Sequence, residues 1–195
     1  MALTPSTMLP LGTPAPDFQL LEPASGRLVR RDQFAEAPAL VVVFLCNHCP
    51  YVKHLRAGLA QFGRECANRG VALVAINSND AEAYPADSPE RMVEEARLSD
   101  WTFPYLFDAD QTVARLYRAA CTPDFYLFDA NRKLVYRGQF DDSRPGNGRP
   151  ISGADLRAAL EDLLAGRPIS PRQLPSMGCN IKWKSGQAPE YFSRS

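Results

Sequence analysis

Two cysteines three residues apart, in Cys46-Asn47-His48-Cys49, are the residues of this 195-residue chain best suited to chemistry. On a first helical turn, such a pair reaches disulfide distance without moving the backbone. Dithiol and disulfide then interconvert by exchange with other thiols and disulfides. The pair follows a continuous apolar run, Ala39-Leu-Val-Val-Val-Phe-Leu45, and precedes an apolar stripe of Val52, Leu55, Leu59, Phe62 and Cys66. The motif therefore falls where a buried strand turns into an amphipathic helix. Unpaired N–H groups and the positive end of the helix dipole favour a thiolate there. Cys46 is expected to attack and Cys49, one turn inward, to resolve the mixed disulfide. His48 and Asn47 are the tuning positions: a protonated His48 adds positive charge beside the thiolate, and a neutral one adds none.

The competing use of this motif is half a zinc site, which needs two further ligands from a second such motif or a histidine pair. The only two histidines are His48 and His54, so no metal is expected. No Gly-rich dinucleotide loop calls for an organic cofactor. Cys66, on the apolar helix stripe, reads as core. Asp141-Asp142, ahead of Pro145-Gly146, reads as a solvated turn rather than a metal site.

The surrounding elements follow from period and punctuation. After the first strand and helix, Val71–Ile76 is a second buried strand, which makes a βαβ unit with a right-handed crossover. Ser88 caps a helix over Pro89–Leu98. Phe103–Phe107 is a short strand, and Asp110 caps a short helix. Phe125–Phe128 and Leu134–Arg137 form a hairpin around Asp129-Ala130-Asn131. A helix capped at Ser152 carries Leu156, Leu160, Leu163 and Leu164 and stops at Gly166 and Pro168. This order gives an α/β fold, a central mixed β-sheet flanked by helices. The domain is expected over 1–166, including an N-terminal extension, with a Pro-rich C-terminal tail over 167–195 docked on it.

Charge excludes several classes. Lysine plus arginine (22) equals aspartate plus glutamate (22), so nothing marks a partner of nucleic acid or an anionic membrane. The first basic residue is Arg27 and the longest apolar run is too short to span a bilayer, so the expected location is cytoplasmic. Thiols are kept reduced there, so the five cysteines are read as catalytic, metal-binding or inert rather than as a disulfide framework.

Cys46-Asn-His-Cys49 followed by Cys121-Thr122-Pro123 resembles the thioredoxin superfamily, whose topology has the element order above. The resemblance implies a thioredoxin-like fold with a cis-proline loop at Thr122 and Pro123, packed against the redox pair, whose exposed backbone pairs with a substrate peptide. Leu11-Gly-Thr-Pro-Ala-Pro-Asp-Phe18, Gln139-Phe-Asp-Asp-Ser-Arg-Pro-Gly-Asn147 and Pro175-Ser-Met-Gly-Cys-Asn-Ile-Lys-Trp183 are similar to segments of a narrower group. These are the bacterial peroxiredoxin-like proteins of the alkyl hydroperoxide reductase/thiol-specific antioxidant type, in their CxxC-bearing branch.

Departures from that group matter. A peroxidatic cysteine there has Thr or Ser three residues before it and Pro seven before it. Cys46 has Val43 and Ala39, and Cys49 has Cys46 and Val42. Disulfide exchange is therefore favoured over peroxide reduction. The superfamily's tryptophan ahead of the motif is Leu45, and its buried acid is missing from 39–45, which leaves water or Asp124 to accept the Cys49 proton. Cys121 and Cys179 are additional candidate thiols, each weighed against a packing role. The resulting expectation is a thiol–disulfide oxidoreductase in redox homeostasis, working between a thiol reductant and protein or small-molecule disulfides, with no oligomeric state specified. The alternatives are a thiol-dependent peroxidase and a non-catalytic redox sensor or metal carrier.

Overall fold

Five apolar residues, Leu40–Phe44, are wholly buried at the centre of the sheet. The computed structural model describes residues 3–192. In chain order its elements are β1 (Leu3–Pro5), β2 (Gln19–Glu22), β3 (Arg27–Arg30), β4 (Leu40–Phe44), α1 (Pro50–Asn68), β5 (Ala72–Asn77), α2 (Pro89–Leu98), β6 (Tyr105–Phe107), α3 (Thr112–Leu116), β7 (Cys121–Thr122), β8 (Asp124–Phe128), β9 (Leu134–Gly138), α4 (Ala154–Leu164) and β10 (Met177–Asn180).

The main sheet runs β3-β2-β6-β5-β4-β8-β9. Here β4 pairs in parallel with β5 and antiparallel with β8, so the sheet is mixed. Alternation along β4 explains its continuous apolar sequence. Val41 and Val43 join one core with Val52, Leu55 and Leu59 of α1 and Leu156 and Leu160 of α4. Leu40, Val42 and Phe44 join a second core with Val113, Ala114, Tyr117 and Phe18. A strand buried on both faces needs apolar side chains at every position. The expected thioredoxin-like architecture is thus observed.

The helix read from the stripe is α1, and Val52, Leu55, Leu59, Phe62 and Cys66 are all on its buried side. Gly63 lets α1 approach closely, since a Cβ there would sit 2.5 Å from the Phe103 ring. Ser88 caps α2 as expected, accepting the Arg91 N–H. The start of α4 differs. Gly153 is its N-cap, and the Asp141 carboxylate, 2% exposed, accepts the N–H groups of Ser152 and Gly153 at 2.7 and 2.6 Å. Asp141 is therefore buried where a solvated turn was expected, because the orphan donors of the helix end require an acceptor.

Both chain ends add structure that short, weakly periodic segments conceal. β2 and β3 form a hairpin on the sheet edge through β6. β10 lies between β1 and β7 in a separate three-stranded sheet, with Cys179 opposite Thr122.

Candidate active site

The motif lies just past the end of β4, ahead of α1 rather than on its first turn. Pro50 takes the first helical position, where its missing N–H costs nothing, and Cys49 becomes the extended N-cap with φ −66° and ψ 123°. The helix end therefore acts on Cys49 more directly than on Cys46.

The insertion between β5 and α2 clamps the intervening residues. Asp87, wholly buried, accepts the Asn47 backbone N–H at 2.7 Å and the Asn79 amide at 2.7 Å. The oxygen that accepts from Asn79, Oδ2, is also 2.7 Å from His48 Nδ1. Asn47 donates to the Ala86 carbonyl and accepts from the Tyr105 hydroxyl, each at 2.9 Å. The His48 ring stacks on Tyr84 with centroids 5.8 Å apart. Burial alone would raise Asp87, but hydrogen bonds from His48, Asn79 and Asn47 hold it below the ordinary carboxylate value. A buried acid beside the motif thus exists, supplied by the insertion instead of the preceding strand.

Both motif sulfurs are buried, with Cys46 1% and Cys49 0% exposed. The Cys46 thiol hydrogen-bonds to Cys49, and the Cys179 thiol and the backbone N–H groups of Val52 and Cys179 add to it. Against the cost of burial, these bring Cys49 down to about 5. Cys46 moves upward, because its bond to Cys49 keeps the proton, burial disfavours charge, and Asp87 is negative nearby. The shared proton therefore moves the two sulfurs in opposite directions, Cys49 down and Cys46 up, and they titrate as a pair. Thr122 touches both. Its hydroxyl is 3.3 Å from Cys46 Sγ, and its carbonyl is 3.2 Å from Cys49 Sγ, ready to accept an S–H bond.

The Thr122–Pro123 peptide bond is cis. Gln139, Asp141, Ser143, Arg144, Ser176 and Met177 line a small cleft that Pro123 shares. The two distant signature segments of the sequence therefore converge on this loop. Cys121 is fully buried and its thiol faces the Pro123 carbonyl at 3.6 Å. Asp124 does not serve Cys49. It bonds to the Tyr126 hydroxyl at 2.9 Å, and Tyr126 packs in the core on the sheet face opposite that of Cys49. Cys66 is core, raised to about 12 by burial.

A sulfur of Cys46, a ring nitrogen of His48 and a carboxylate oxygen of Asp87 lie within 4.8 Å of one another. The 2.7 Å His48–Asp87 separation is a hydrogen-bonding distance. Two ligands of one tetrahedral zinc would stand about 3.3 Å apart, given bonds near 2.0 Å. As arranged, His48 and Asp87 would have to move apart to bind one ion together. Sequence reading missed Asp87, Tyr84 and Tyr105, since an aspartate ahead of Ser88-Pro89 looks like any helix lead-in.

Comparison with known proteins places the chain. The AhpC/TSA family profile matches residues 11–137, and the chain belongs to that family. An uncharacterized conserved protein from Geobacillus kaustophilus is 52% identical, with a TM-score of 0.93, over 95% of this chain and 98% of that one. A hypothetical protein from Sinorhizobium meliloti 1021 is 51% identical, with a TM-score of 0.92, over 94% of this chain and 100% of the other. The fold is also that of a secreted Mycobacterium tuberculosis disulfide oxidoreductase homologous to E. coli DsbE. That protein is 18% identical, with a TM-score of 0.57, over 74% of this chain and 94% of that one. No curated protein matches. Among the described residues, no helix is long and apolar enough to cross a membrane.

Proposed function

We propose that this AhpC/TSA-family protein is a thiol–disulfide oxidoreductase working through Cys46 and Cys49. The observation that carries the reading is the pair of hydrogen-bonded sulfurs with Thr122 on both. The Cys46 proton passes to Cys49, whose S–H the Thr122 carbonyl then accepts, while the Thr122 hydroxyl donates to the Cys46 thiolate. Cys46 attacks one sulfur of a substrate disulfide and forms a mixed disulfide, and the other sulfur leaves as a thiolate. The Cys49 proton goes to that leaving sulfur. Cys49 then attacks Cys46, the Cys46–Cys49 bond forms, and the second substrate thiol is released after taking up a proton from solvent. The substrate gains two electrons and the motif loses two, and a thiol reductant resets it by the reverse exchange.

His48 and Asn47 border an open groove of about 450 Å³ with Lys53, Arg56, Arg91 and Glu94. Since Cys46 itself is almost fully covered, we place substrate entry on this side, past the partly exposed His48. Protein or small disulfides are both within the reading, as is a role in redox homeostasis. A cytoplasmic site of action is included on the cysteine usage alone.

The test is turnover of a model disulfide and of hydrogen peroxide by wild type, Cys46→Ser and Cys49→Ser. Loss of disulfide turnover in both variants is expected. Peroxide consumption that survives one substitution and not the other would instead establish a thiol-dependent peroxidase. The nearness of Cys46, His48 and Asp87 supplies a second reading, a metal carrier, in which His48 and Asp87 move apart to take up the ion. An equimolar zinc complex surviving dialysis at neutral pH would support it over exchange.

A further inference from the structure

Beyond the sequence motif, the fold brings a third sulfur to Cys49. Cys179 on β10 pairs directly with Thr122 on β7. Directly opposed residues in an antiparallel pair project to the same face. Thr122 faces Cys46, and Cys179 faces Cys49, with which its thiol is hydrogen-bonded. The register is held by a close approach: a Cβ on Gly178 would meet the Thr122 carbonyl oxygen at 2.0 Å. A slip of one residue would turn Cys179 to the opposite face. Cys49 thus stands between two thiols, one from the motif and one from the tail.

We propose that Cys179 is a third redox thiol that exchanges with the Cys46–Cys49 disulfide, an inference that rests on the oxidoreductase reading. The Cys179 sulfur attacks Cys49 Sγ, the Cys49–Cys179 bond forms, and the Cys46–Cys49 bond breaks. Cys46 leaves as a thiolate and takes up the proton that Cys179 gave up. Cys179 passes from thiol to disulfide sulfur as Cys46 passes from disulfide sulfur to thiol, so the oxidation level of the chain is unchanged and the step consumes no outside reagent. Its effect is to return Cys46 to the thiol form while the chain still carries the oxidising equivalent.

The electrostatics of Cys179 depend on the state of the pair. In the dithiol state Cys179 is held up at about 12 by burial first, then by its hydrogen bond with Cys49 and the charge on that sulfur. Oxidation of the Cys46–Cys49 pair removes the charge on Cys49, and with it part of what keeps Cys179 protonated. Burial still holds the thiol up, but the opposition from Cys49 is gone once there is a disulfide to attack. β10 also occupies the backbone edge of Thr122, the edge a peptide substrate would otherwise extend.

Three diamide oxidations followed by thiol blocking and peptide mapping test this. Cys46→Ser should form a Cys49–Cys179 cross-link, and Cys179→Ser should form Cys46–Cys49. Wild type given one equivalent of diamide and quenched in acid should hold both cross-links, with Cys46 alkylated in the Cys49–Cys179 fraction. This last arm needs no substitution and stands even if Cys46→Ser misfolds. The proposal is overturned if Cys49–Cys179 is absent from both Cys46→Ser and wild type, or if Cys49 pairs with Cys121 instead. Absence of Cys46–Cys49 from Cys179→Ser and from wild type would remove the oxidoreductase reading as well. Its presence there without Cys49–Cys179 elsewhere removes this proposal alone.

Discussion

The Thr122 hydroxyl stands 3.3 Å from the Cys46 sulfur, while the carbonyl of the same residue serves Cys49. One residue thereby meets both protonation states of the pair. Thr122→Val keeps the branched shape and the carbonyl and removes only the hydroxyl. Disulfide exchange should slow by about 10-fold, the value of one hydrogen bond of roughly 1–1.5 kcal/mol, with the melting temperature little changed. Stopped-flow exchange with a model disulfide checks this, and an unchanged rate would remove Thr122 from the mechanism.

The charge on Cys49 is directly observable. Thiolate absorbance at 240 nm should rise by one thiolate per reduced chain with a midpoint near pH 5, the position of Cys49. Cys49→Ser should lose that step. The folded acidity is depressed, so this contribution to the stability of the reduced form is present above pH 9.0 and is lost as pH falls through about 5. The disulfide form has no such thiolate. At pH 7 the difference raises the reduction potential by about 60 mV over an unperturbed dithiol, two pH units at 29.6 mV each. Equilibration with glutathione measures it.

Asp87 holds the motif from the insertion. Asp87→Asn should destabilise the fold by about 1–3 kcal/mol, because an amide presents N–H where His48 or Asn79 needs an acceptor. Asp87 also keeps Cys46 protonated, so in a Cys49→Ser background its removal should lower the pH of half-maximal Cys46 alkylation. A profile that does not move would mean that Asp87 only packs.

Asp124 gives a separate pH signature. Burial raises it from 3.8 to about 7, so the folded chain binds its proton more tightly than the unfolded chain does. Stability is then greatest at the acid side of this window and declines as pH rises from about 4 to 7. The full decline is up to about 4 kcal/mol, from three units at 1.36 kcal/mol each. Asp124→Asn should flatten that slope in urea titrations across the same range. An unaltered slope would assign the pH dependence elsewhere.

The local elements were legible because each carries a periodic or punctuating signal: the two-faced apolar run of β4, the stripe of α1, Ser88-Pro89 ahead of α2. The terminal strands were not. β1, β2, β3 and β10 have three or four residues each, too few for alternation to stand out, and β1, β2 and β10 also pair with strands far away in sequence. The same limit applied to the site. Pro50 announces that the helix begins after Cys49, yet the lowering of Cys49 depends first on its bond from Cys46 and then on donors from Cys179 and Val52.

The sequence by itself determined the motif, the family and the strand-to-helix junction, since these depend on residue types and short spacings. Only the tertiary structure decided in which direction each sulfur shifts, which acid lies beside the pair and which tail thiol meets it. Asp87 comes from 38 positions beyond Cys49, and Cys179 from 130 positions beyond it. Their effect on the sulfurs falls off steeply with separation in space and is independent of separation along the chain.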